Sequence, residues 1–115
     1  MAMSPDDLRK TLNDWKSDSR ILRMLLLQDG HTTLWAIPTA WSISEEEVRF
    51  SFGFTKLAWG DVVIPFSDLL SIDLIDPASR PLEPSASEYE SCIEFTWKYL
   101  DRRNERCIVC LQKKP

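Results

Sequence analysis

From Val48 to Phe54 the chain reads Val-Arg-Phe-Ser-Phe-Gly-Phe, with an apolar side chain at every second position. That spacing suits a strand, because successive side chains leave a strand on opposite faces and residues two apart share one. A second run, Val62 to Ile75, is the most apolar in the protein and is interrupted only around Pro65 and Ser67-Asp68. Together the two runs predict two or three core strands with one buried face. The remainder of the chain has to supply their partners and their cover.

Upstream, Ser4-Pro5-Asp6-Asp7 predicts a helix start: a serine N-cap, proline at the first helical position, and acids against the positive end of the dipole. Leu8, Leu12 and Trp15 then form one apolar stripe, and Ser17-Asp18-Ser19 ends the helix. Residues 21–28 are rich in Leu and Met, which would suit a helix continuing to Gly30. Asp29-Gly30 between two apolar runs is a hairpin signal, and the hairpin is the preferred reading. From Thr33 to Ile43 the odd positions carry Thr, Trp and Ile, a second alternating stretch. Pro38 cannot donate a ladder hydrogen bond, so this stretch is expected to break there into two short strands. Gly53 within its strand suggests a bulge. Residues 56–61, ending in Gly60-Asp61, read as a connecting loop. Residues 76–88, with three prolines and three serines, read as a long surface loop of the kind that is functional or mobile. A last hairpin sets Ile93, Phe95, Trp97 and Tyr99 against Cys107, Val109 and Leu111, turning at 101–104.

At 115 residues the chain fits a single domain, 1–115, divided into an N-terminal helix (1–19) and a β-barrel or roll (20–115). The net charge of −4 gives no general attraction to nucleic acid or anionic lipid. Its distribution is uneven. From Lys98 onward six basic residues face two acids, a local +4, whereas residues 1–97 hold eight basic residues and sixteen acids, −8. The first residues lack the basic and apolar regions of a signal peptide, and no apolar run approaches the ~20 residues of a membrane helix. Three cysteines do not make a disulfide framework. The expectation is a cytoplasmic protein with reduced thiols and no membrane insertion.

Few residues carry chemistry. His31, the one histidine, lies beside Asp29-Gly30 at a hairpin tip, without a positioned partner for general-base work. Cys107 and Cys110 have the spacing of a metal knuckle, but on a strand they leave opposite faces, and Cys92 belongs to another strand. Asp68, Asp73 and Asp76 read as turn and solvent-side residues. With three glycines there is no phosphate-cradling loop. No catalytic residue, metal or cofactor is expected, and the chain does not read as an enzyme. The candidate binding residues are Trp59, placed in the 56–61 loop, and the basic group Arg102, Arg103, Arg106, Lys113 and Lys114. Exposed Trp is a mark of protein interfaces, and clustered Arg and Lys of phosphate or acidic partners. Trp35 and Trp41 are further aromatic candidates, with core packing the simpler role for Trp35.

Ala40-Trp-Ser-Ile-Ser44, Val48 to Phe54, and Val63-Ile-Pro-Phe-Ser-Asp-Leu-Leu-Ser-Ile72 together resemble bacterial pleckstrin-homology-like (GRAM-like) domains over about residues 33–112. In that family an apolar-Pro-aromatic-Ser/Asp-apolar bend joins middle strands of a curved barrel. The closing C-terminal helix of the family has no counterpart here, and a helix stands at the N-terminus instead. The resemblance implies a binding or scaffolding module, and it transfers no lipid-binding residues.

The combined expectation is a mainly β protein (α+β by content): a small antiparallel barrel or curved sheet of about seven strands with one N-terminal helix, or else a helix lying on an open sheet. Its expected role is a non-catalytic protein-interaction module, self-associating or binding another protein. The alternative is a module for nucleic acid or another polyanion built on the C-terminal hairpin, with an enzyme ranked last.

Overall fold

The computed structural model describes residues 1–28, 31–54, 57–79, 86–98 and 106–114, and for 28, 31–35, 54, 57–59 and 86 the backbone alone. Helix α1 runs Pro5–Ser17, and the capping box is complete: the Ser4 hydroxyl accepts from the Asp7 amide, and the Asp7 carboxylate accepts from the Ser4 amide. Those hydrogen bonds hold the Asp7 carboxyl below its ordinary pKa. Leu8 and Leu12 are fully buried and Trp15 is packed beside them, as the stripe requires.

Among the described residues eight strands follow: β1 Leu22–Gln28, β2 His31–Ala36, β3 Ala40–Ile43, β4 Glu47–Phe54, β5 Leu57–Pro65, β6 Leu69–Ile75, β7 Tyr89–Trp97 and β8 Arg106–Gln112. All pairings are antiparallel. The ambiguous 21–28 segment is therefore strand, paired with β2 so that His31 stands opposite Gln28. Pro38 breaks the next stretch as expected, and the break has a larger consequence than two short strands. β2 stays in a five-stranded sheet, β2-β1-β8-β7-β6, while β3 enters a three-stranded sheet, β3-β4-β5.

The strand order is that of an up-and-down ring in which β8 returns to β1, but hydrogen bonding among the described residues is interrupted between β2 and β3 and between β5 and β6. Among the described residues no closed barrel forms. The second interruption coincides with the 3-10 turn Phe66–Asp68 after Pro65, where the bend was expected. The edge of β6 is not left bare: Met3 donates to the Ile72 carbonyl, and the Leu74 amide donates to the Met1 carbonyl.

The main core lies between the sheets and α1. It contains Leu8 and Leu12, Leu22 and Met24, Val48, Phe50 and Phe52, Ile64, Leu69 and Ile72, Ile93 and Phe95, and Cys107, Val109 and Leu111. A second buried group occupies the opposite face of the five-stranded sheet: Leu25, Tyr89, Cys92, Ile108 and Cys110. Residues 107–111 of β8 are consequently all buried, as happens to a strand covered on both faces. Of the 76–88 segment, read as a long surface loop, residues 80–85 lie outside the described residues, and Asp76, Ala78, Ser79, Ser87 and Glu88 are exposed as expected. Pro77 is buried, the turn Pro77–Ser79 lies against β7, and the turn Ala86–Glu88 lies against Pro77–Ser79.

The 56–61 reading is also corrected. Residues 57–61 belong to β5, and the Gly60-Asp61 signal marks a bulge within a hairpin: the register with β4 shifts between Phe52 and Gly53, and Gly60 takes φ 126°. Glycine tolerates that backbone angle because it has no Cβ. The bulge suggested by Gly53 is thus real, with its extra residue on the partner strand.

Candidate functional site

Two stretches that leave regular structure meet beside the β2/β3 interruption. The first is the exit of α1. The Ser19 amide donates to the Lys16 carbonyl and the Arg20 amide to the Trp15 carbonyl, which places Ser19 in the left-handed region at φ 53°. The chain then reverses through Arg20 and Ile21 into β1. The second is Ile37-Pro38-Thr39. Proline biases the residue before it toward extended backbone, so the chain crosses between sheets without coiling. Thr39 anchors the crossing: its amide donates to the Ser51 carbonyl at 2.8 Å and its hydroxyl to the same oxygen at 3.2 Å.

Between these stretches lies an open cleft of about 340 Å³, with Lys16, Ile21, Ile37, Pro38 and Trp41 in its walls. α1 and β3 hold it in shape. The Lys16 ammonium donates to the Trp41 carbonyl (3.3 Å), the Trp41 indole to the Leu12 carbonyl (3.4 Å), and Arg9 to the Ser44 carbonyl (2.9 Å). Arg20 at the rim is committed elsewhere, donating to the Gln112 carbonyl and pairing with Glu90. Ile21 is 53% exposed and Ile37 49%. One exposed isoleucine is ordinary on a protein surface. Two lining the same concave, mostly apolar cleft form a patch that a partner can cover.

The described members of the basic group are not gathered into one site. Arg102 and Arg103 lie outside the described residues. Arg106 begins β8 and pairs with the nearly buried Glu94 at 3.5 Å. Lys113 and Lys114 follow the other end of that strand, seven residues away at ~3.3 Å each. There the Lys113 amide donates to the Glu88 carbonyl, and the Lys114 ammonium pairs with Asp18 at 3.2 Å. Trp59 is in β5, and the side chains of Trp59, Trp35 and His31 lie outside what is described.

The cysteines are all free and buried. Cys107 belongs to the main core, and burial raises its thiol pKa to about 12. Cys110 faces the other way, as strand geometry demands, and register places it directly opposite Cys92. Its pKa is raised by the hydrogen bond from Cys92 and by burial. Among the described residues no group of three or more His, Cys, Asp or Glu is placed to hold a metal ion, and no helix is long and apolar enough to cross a membrane.

No protein-family model matches the chain, and neither the curated proteins nor the solved structures include a significant match. Among the described features the cleft is the candidate site. Its exposed members, Ile21 and Ile37, were not singled out from the sequence. Ile37 sits in phase with Trp35 and Trp41, which is the signature of a core residue, and only the departure of β3 into the other sheet leaves it outside.

Proposed function

We propose that this chain is a non-catalytic interaction module that binds a protein segment in the cleft between α1, the start of β1 and the β2–β3 crossing. The observation that carries the reading is the pair of half-exposed isoleucines, Ile21 and Ile37, flanking an apolar cleft whose walls are fixed by hydrogen bonds from Lys16, Trp41 and Thr39. The cleft is already formed in the unbound chain, so an occupant needs only to cover its exposed isoleucines to bury apolar surface. The fitting occupant is a bulky aliphatic or aromatic side chain on an extended segment, either of another protein or of a second copy. The meander order of the strands and the helix beside them also support a pleckstrin-homology-like kinship, with α1 at the N-terminus as its main departure. The polyanion reading has less behind it, since Arg106 and Lys114 are paired within the chain and stand at opposite ends of β8.

The test is a selection of displayed random peptides against the folded chain, with sedimentation velocity at rising concentration to detect self-association. Binding, or association, is expected to fall at least tenfold in Ile21→Asp and Ile37→Asp, with the melting temperature almost unchanged because both side chains are exposed. Retention of affinity in both variants would refute the cleft. So would a strictly monomeric chain that selects no peptide. Loss of binding between low and moderate salt, unaffected by either substitution, would favour the polyanion alternative instead.

A further inference from the structure

The face of the five-stranded sheet opposite the main core holds two thiols in direct apposition. Cys92 on β7 and Cys110 on β8 are register partners, and the Cys92 thiol donates to the Cys110 sulfur across 3.0 Å. A disulfide bond is about 2.0 Å long, so each sulfur is within roughly 0.5 Å of its bonded position. Directly opposed residues of an antiparallel pair have Cα atoms about 4.5 or 5.5 Å apart, and both spacings fall within the disulfide range. Cys107, three residues before Cys110 on the same strand, points into the main core and is out of reach.

We propose that Cys92 and Cys110 are a modification site: an intramolecular, cross-strand disulfide that locks β7 to β8 with little backbone movement, leaving Cys107 as the free thiol. The co-reactant is a low-molecular-weight disulfide such as oxidised glutathione. One protein thiolate attacks it, forming a mixed disulfide and releasing one glutathione thiolate. The second protein thiolate then attacks the protein sulfur of the mixed disulfide, forming the Cys92–Cys110 bond and releasing the second glutathione. The two cysteines lose two electrons, oxidised glutathione gains them, and the two thiol protons finish on the released glutathiones. Because both sulfurs are buried in the best-covered strands, exchange proceeds during folding or through global unfolding. Burial and the mutual hydrogen bond favour the thiol over the thiolate at Cys110, so the folded pair resists exchange until the chain opens.

The full-length chain is unfolded, reduced, and refolded in a mixture of reduced and oxidised glutathione. Remaining thiols are alkylated and the linkages mapped by mass spectrometry. Three cysteines allow three intramolecular pairings, so the map discriminates among them. The expected product links Cys92 to Cys110, carries its alkyl group on Cys107, and melts roughly 10 °C above the reduced form. Dithiothreitol reverses the shift, and Cys107→Ala gives the same link. The proposal fails if Cys107 enters most of the linkages. It also fails if the refolded chain stays reduced under conditions that form ordinary structural disulfides, or if the linked chain melts below the reduced one. Should Cys107→Ala not fold, the wild-type map decides alone.

Discussion

Ser19 ends α1 with the hydrogen-bond pattern that helices usually close with a glycine. At φ 53° its Cβ crowds the adjacent backbone, a cost the neighbouring structure bears. Ser19→Gly removes that crowding, and the added freedom of the unfolded chain offsets part of the gain. The expected net is a stabilisation of about 0.5–1 kcal/mol, read as a rise of roughly 2–4 °C in melting temperature. A fall would show that the serine side chain has a stabilising role of its own. Gly60 is the complementary case, since glycine already occupies its positive-φ position in β5. The two positions show what residue types disclose. Ser17-Asp18-Ser19 is legible as a helix stop but not as a left-handed cap, because serine is a common residue with many uses. Gly60-Asp61 is legible as a departure from ideal strand but not as a bulge rather than a loop, because both demand the same backbone freedom.

At the scale of elements, α1 earns its place through two leucines that no solvent reaches. Leu12→Ala leaves a cavity between helix and sheets and is expected to cost about 3 kcal/mol, within the usual 2–5, read from the urea midpoint at unchanged slope. A loss well under 1 kcal/mol would mean that α1 rests on the sheets without completing the core. The helix, its stripe, the hairpin over 22–36 and the final hairpin were all legible, because each is decided by local periodicity and by turn or capping chemistry. The second face of β8 was harder to read. Cys107, Val109 and Leu111 announce one buried face, but Ile108 and Cys110 are apolar too, and which alternating set meets solvent depends on the cover. Pro77, buried against that sheet, belongs to a segment whose proline and serine content reads as surface. The candidate cleft was the least legible feature. It exists because β2 and β3 enter different sheets, and pairing between distant segments is not written in local spacing.

In the whole molecule, the two sheets share one core but differ in how well their backbones are covered. β8 and β7 are flanked by strands on both sides and have buried residues on both faces. β3 has, among the described residues, a neighbour on one side only, four residues, and no fully buried side chain. Backbone hydrogen bonds open locally where few buried contacts hold them, so native-state hydrogen exchange should rank the strands. Amides of β7, β8 and the β1 residues between them and β2 are expected to exchange only through global unfolding, and their free energies should converge on the value from urea. Amides of β4 that pair with β5 follow, held by Val48 and Phe50. Those of β3 come last, opening at least tenfold more readily than β8. If β3 proves as protected as β8, the gap between β2 and β3 is closed in solution and the cleft at that seam is not a stable feature. Protection ranked as expected, and rising selectively in β3 when a selected peptide binds, would tie the open seam of the ring to what the chain recognises.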